Sequence, residues 1–145
     1  MNIAFCGHKD FIASNDIEAK IIEMLLMYAR KEREVRCFNG GYGAFDCLAA
    51  HCVDKAKEKT GNIKNCLVVP YLSKKFNKEC FDEIIYPPLE DVPPKWAICR
   101  RNEWMVDNSA VIICFVSCGF GGAAKTLRYA KSRDKLIINL FDSCK

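Results

Sequence analysis

The 145-residue chain has no apolar run near the 18 residues that crossing a bilayer takes, so no membrane-spanning helix is expected. It has only two histidines, and none of its ten cysteines forms a Cys-x-x-Cys pair. The closest cysteine spacings, Cys47/Cys52 and Cys114/Cys118, match no zinc-ligand signature, and neither a metal nor another cofactor is expected. Cys6, Cys37, Cys66 and Cys114 instead fall inside apolar strand-like runs, where a thiol behaves as a small hydrophobe. Reduced cysteines of this kind fit the cytoplasm. No secretory leader is expected either, because Met1-Asn2-Ile3 runs straight into a strand pattern. Proline is nearly confined to one stretch, Tyr86-Pro-Pro-Leu-Glu-Asp-Val-Pro-Pro94, which holds four of the five. Finally, there is no basic stripe. Lys55-Lys57-Lys59 and Lys74-Lys75-Lys78 are interleaved with Glu58 and Glu79, so nucleic acid is not the expected partner. The net charge of +4 suits an anionic ligand or a simple solubility margin.

What is present is an alternation of strand and helix over one expected domain, residues 1–145. Ile3–Cys6, Glu34–Phe38, Asn65–Val69, Ala110–Val116 and Lys135–Leu140 carry strand patterns. Helical periodicity runs over Asp16–Arg30, Phe45–Glu58, Trp96–Asn108 and Ala123–Ser132, with Ser14 or Asn15 as the first cap. The middle, Leu72–Lys95, is irregular, with a short helix near Asn77–Phe81 and a proline-rich loop that is either a connector or a lid. Most strand patterns are continuous apolar runs rather than alternating ones, which implies burial on both faces. The expected fold is therefore α/β, a Rossmann-like three-layer sandwich with a mainly parallel sheet of about five strands. Right-handed crossovers put every strand's C-terminal end on one edge, where ligands of such sheets bind.

Three strand ends at that edge carry glycine. Gly121-Gly122 follows a buried strand and opens a helix at Ala123, with Thr126 one turn on; a helix N-terminus of this kind offers amide N–H groups to phosphate. Asn39-Gly40-Gly41-Tyr42-Gly43 is a second corner, where Tyr42 can stack on a base or ribose. Asp46 follows it, either complementing the helix dipole or accepting a ribose hydroxyl. Gly7-His8 is a weaker third. Tyr71 closes the third strand, and Arg101-Asn102 lies on a helix from which one guanidinium can clamp phosphate. Neither Gly-x-Gly-x-x-Gly nor Gly-x-x-x-x-Gly-Lys-[Ser/Thr] is matched.

Through Phe5-Cys-Gly-His8, Phe38-Asn-Gly-Gly-Tyr-Gly-Ala-Phe-Asp46, Val69-Pro-Tyr71, Tyr86–Pro94, Arg101-Asn-Glu-Trp-Met105 and Gly121-Gly-Ala-Ala-Lys-Thr126, the chain resembles the SLOG superfamily. This is the Rossmann-like group of the Lonely Guy phosphoribohydrolases and the DNA-processing protein A domain, and within it the likeness is to the YpsA-like branch. The resemblance implies a nucleotide-like small molecule, such as a nucleoside monophosphate or an ADP-ribose relative, at the glycine corners. It also implies a homo-oligomer, dimer or tetramer. It does not carry over catalysis. Lonely Guy enzymes place glutamate in Pro-Gly-Gly-x-Gly-Thr-x-x-Glu, where this chain has Leu127 or Arg128, and no catalytic residue is assigned. The expectation is a sensor, carrier or sequestering protein, with a nucleotide N-glycosidase or a single-stranded-DNA binder as the alternatives.

Overall fold

The structure, a computed structural model, describes residues 1–72 and 80–143. Most of the expected Asn77–Phe81 helix, and Lys74, Lys75 and Lys78, lie outside the described residues. Six strands form one all-parallel sheet: β1 (Asn2–Gly7), β2 (Val35–Asn39), β3 (Ile63–Val68), β4 (Glu83–Ile85), β5 (Val111–Phe115) and β6 (Leu136–Asn139). The helices are α1 (Asn15–Lys31), α2 (Ala44–Lys57), α3 (Ala97–Asp107), α4 (Gly122–Ser132) and a final turn, α5 (Leu140–Ser143). The sixth strand is β4, inside the stretch expected to be irregular. It is three residues long and sits at the sheet edge, pinned by Arg36–Glu83 (2.5 Å) and by Lys57–Asp82 (2.7 Å).

Successive residues of one strand face opposite layers. Ile3, Phe5, Val35, Cys37, Val111 and Ile113 pack under α1 and α2, while Ala4, Phe38, Cys66 and Ile112 pack under Met105 and Val106 of α3 and Ala130 of α4. This two-sided burial explains the unbroken apolar strands and produces three layers. Ser14 caps α1 by accepting the Ile17 amide at 3.3 Å, and Ile17, Ile21, Leu25 and Ala29 form the buried stripe. Before α3, Pro94–Trp96 is a single 3-10 turn, which tolerates proline at its first position.

The strand order is β4-β3-β2-β1-β5-β6. The chain builds outward from β1 through β2, β3 and β4, then crosses back to place β5 on the other side of β1. The order therefore reverses between β1 and β5, whose residues pair from Ile3↔Val111 to Gly7↔Phe115.

Candidate functional site

A cleft of about 790 Å³ opens at this reversal, over the C-terminal ends of β1 and β5. Of the residues expected at the site, Gly7, His8, Gly40, Tyr42, Asp46, Arg101, Asn102, Gly121, Gly122, Ala123 and Thr126 all line it. Gly41 and Tyr71 do not. Gly41 turns under the loop, its N–H donating to Asn39 Oδ1 (2.6 Å). Tyr71 stands half in solvent, near enough to Arg101 to act on its charge.

On one side of the cleft is the start of α4. Gly121 has φ 93° and ψ 174°, a region essentially reserved for glycine, and among the described residues no side chain caps the helix behind it. Among the described residues, a Cβ at Gly119, Gly121 or Gly122 would meet no atom within 4 Å. Gly122 also has an ordinary φ, so packing does not explain its lack of a side chain. The Gly122, Ala123 and Ala124 amides precede the first intrahelical donor, Lys125, whose N–H reaches the Gly121 carbonyl (3.1 Å). Arg128 Nη1 donates to the Gly119 carbonyl at 2.9 Å and fixes the loop from behind. Thr126 donates its hydroxyl to the Gly122 carbonyl at 3.0 Å, leaving only oxygen lone pairs for anything else.

Across the cleft, Gly43 opens α2 with nearly the same backbone, φ 92° and ψ 174°, again without a side-chain cap. This corner is filled from within. A Cβ on Gly43 would lie 2.7 Å from Lys9 Cα, and the Ala44 amide donates to the Lys9 carbonyl at 2.9 Å. The Tyr42 amide donates to Asp46 Oδ2 (2.9 Å), and Asn39 Nδ2 donates to the Asp46 carbonyl (2.7 Å). The amides that the sequence offers to phosphate here are thus used to shape the loop.

Arg101, only 3% exposed, supports that loop from below. Its Nη1 donates to the carbonyls of Gly40 (3.0 Å) and Val68 (2.8 Å), and its Nε donates to Asn102 Oδ1 (2.9 Å). A Cβ on Gly40 would sit 2.9 Å from the guanidinium carbon, so the glycine there makes room for the arginine. Burial lowers the Arg101 pKa, opposed by the charge of Asp46. Asp46 is half-buried as a residue, yet enclosure of its carboxyl pushes it up to about 6, against the Tyr42 amide and the Arg101 charge.

His8 joins the two strands at the reversal. Its Nε2 accepts the Ser117 amide at 2.9 Å, which assigns the proton to Nδ1. Cys118 Sγ lies 3.7 Å from the same nitrogen, but the ring's lone pair there is already engaged, and the pair is not arranged as a nucleophile and base. Cys6, on the cleft floor, is held well above the ordinary thiol range by its hydrogen bond with Cys114 and by burial. Neither thiol is activated by this geometry. The cleft also takes in Ile12, Ile98 and Phe120, which sequence reasoning missed: Ile12 and Phe120 lie in loops with no periodic signal, and Ile98 is an exposed position in the first turn of α3.

No family model matches the chain. An uncharacterised SPbeta prophage-derived protein of Bacillus subtilis (strain 168), YoqJ, is 26% identical over 137 residues, covering 79% of this chain and 80% of that one. DNA processing protein A from Helicobacter pylori superposes with a TM-score of 0.66 at 17% identity, over 94% of this chain and 63% of its own. The molybdenum cofactor carrier protein from Chlamydomonas reinhardtii gives 0.58 at 14% identity, over 94% of this chain and 74% of its own. Both neighbours have SLOG-type folds, and the likeness establishes the Rossmann-like α/β fold of this chain.

Proposed function

We propose that this protein binds a nucleotide-derived small molecule, a nucleoside monophosphate or an ADP-ribose relative, as a cytoplasmic sensor, carrier or sequestering protein of the YpsA-like branch. The observation that carries this reading is the α4 corner. Two glycines that line the cleft, Gly121 and Gly122, put no side chain at the amides that open the helix, at the reversal of strand order. Amides and dipole there favour a phosphate. Asp46 Oδ2 holds the Tyr42 amide, and its second oxygen suits a ribose hydroxyl, with Asn102 of α3 lining the same cleft. Titration calorimetry with AMP, ADP-ribose, NAD and cyclic AMP tests the reading. Binding in the wild type and its loss in a folded Gly122→Val variant is expected. No heat with any of these, from protein shown to be folded, would sink it.

A second reading, single-stranded DNA, is favoured by exposed aromatics at the same edge: Tyr42 (63%), Tyr71 (49%) and Phe120 (77%). The Helicobacter pylori neighbour is described by its single-stranded-DNA binding mode. A salt-dependent gel shift of oligo-dT, absent with mononucleotides in the same samples, would replace the first reading with this one.

A further inference from the structure

Nine large apolar side chains among the described residues are strongly exposed, and four of them, Ile12, Tyr42, Ile98 and Phe120, line this one cleft. They come from four separate places: the loop after β1, the loop after β2, the first turn of α3 and the loop after β5. Ile12 is 87% exposed and Phe120 is 77%, values that leave nearly the whole side chain in water. Exposed apolar groups gathered at one opening mark a surface that something covers. The rest of the lining is less exposed and mixes glycine backbone, Asp46, Arg101 and Asn102 with the apolar Phe5, Phe11 and Met105. Phe120 directly precedes Gly121, so the apolar rim continues from the amides that open α4.

We infer that the ligand carries a second planar ring beyond its phosphate-bearing nucleoside, and that this ring lies on the rim formed by Ile12, Tyr42, Ile98 and Phe120. The inference rests on the phosphate placement proposed above and adds the class: a dinucleotide or nucleotide conjugate with two ring systems. A nucleoside monophosphate seated on the Gly121–Gly122 amides is served by the less exposed part of the cleft and leaves the rim bare. A cleft of about 790 Å³ has room for the longer molecule, within the range of drug-sized sites. The rim contributes area without charge, so it discriminates by size and flatness rather than by hydrogen bonding.

Matched probes separate the two statements. ADP-ribose supplies the nucleoside and both phosphates without a second ring, while NAD and FAD add one. Calorimetry is expected to show NAD or FAD binding at least tenfold tighter than ADP-ribose. Ile12→Ser and Phe120→Ser, both on already exposed positions, are expected to remove that gain while ADP-ribose binding stays as in the wild type. Equal affinities for all three probes overturn the second ring and leave the phosphate placement standing. A gain that survives both substitutions overturns the rim. Absence of binding by every probe overturns both statements. Sedimentation showing a dimer that Phe120→Ser dissociates assigns the rim to a second copy, and an oligo-dT complex lost in that variant assigns it to DNA; each overturns the inference.

Discussion

Gly43 and Gly121 have the same backbone to within a degree in φ and open helices on either side of one cleft, yet they are opposites. Around Gly43 the protein closes on itself: Lys9 presses on the glycine, Asp46 and Asn39 take the loop amides, and Arg101 braces the carbonyls below. Around Gly121 the described residues leave the Cβ directions unoccupied and no side chain caps the helix. The lesson is that a glycine corner at a strand-to-helix turn is not in itself a phosphate site. Whether its amides are available depends on what the rest of the chain brings to it. The closed corner acts as a wall, the open one as a seat.

Substitutions break this contrast in a graded way. Arg101→Met strips the donor from the Gly40 and Val68 carbonyls and the cation from beside Asp46. It should cost about 4 kcal/mol in urea denaturation, about 2 for each buried carbonyl left without its donor, and Arg101→Lys should not restore it. Gly43→Ala combines a glycine-only backbone with a clash against Lys9 Cα, and about 3 kcal/mol is expected by the same measurement.

Asp46 gives a pH signature to the closed side. Its folded value, about 6, lies above the ordinary 3.8, so between those values the folded protein binds more protons than the unfolded chain. Stability from this group is complete below pH 4 and is lost as the pH rises through 6, by about 3 kcal/mol in all. Asp46→Asn should flatten the curve across that window; an unchanged slope would mean that the carboxyl is not enclosed.

Gly121→Ala has the strain without the clash, and about 1–2 kcal/mol is expected. A cost equal to that of Gly43→Ala would show that the α4 corner is packed after all. Gly122→Ala should change stability by less than about 0.5 kcal/mol while weakening nucleotide binding, since its methyl group enters only the space over the amides.

Five of the six strands were legible because each carries a short, mostly apolar run bounded by turn residues, broken only by residues such as Arg36 and Lys64, and the helices because their apolar positions recur on one face. β4 was not. Three residues carry no period, and Glu83 and Asp82 are held by Arg36 and Lys57 from far along the chain. At the site, glycine after each strand was readable once the order of elements fixed which ends meet. That Lys9 would fill the Gly43 corner was not readable, because it depends on a contact across 34 residues of chain. Arg101 was legible as a cation at the edge, but two of its partners are the backbone carbonyls of Gly40 and Val68, which leave no mark in any sequence pattern. Ile12 and Phe120 escaped for a related reason: a lone apolar residue in a loop reads the same whether it turns in or out.

Asn139, the last residue of β6, places its side-chain amide against Val116 just past the end of β5. Oδ1 accepts the Val116 N–H at 3.1 Å and Nδ2 donates to its carbonyl at 3.1 Å. Oδ1 also receives the amide of Phe141 as the chain bends into α5. One carboxamide thus impersonates the next rung of a neighbouring strand. Sheet pairing halts there, and the chain that runs on through Ser117 to Phe120 leaves its outer neighbour and is held instead by His8 and Arg128.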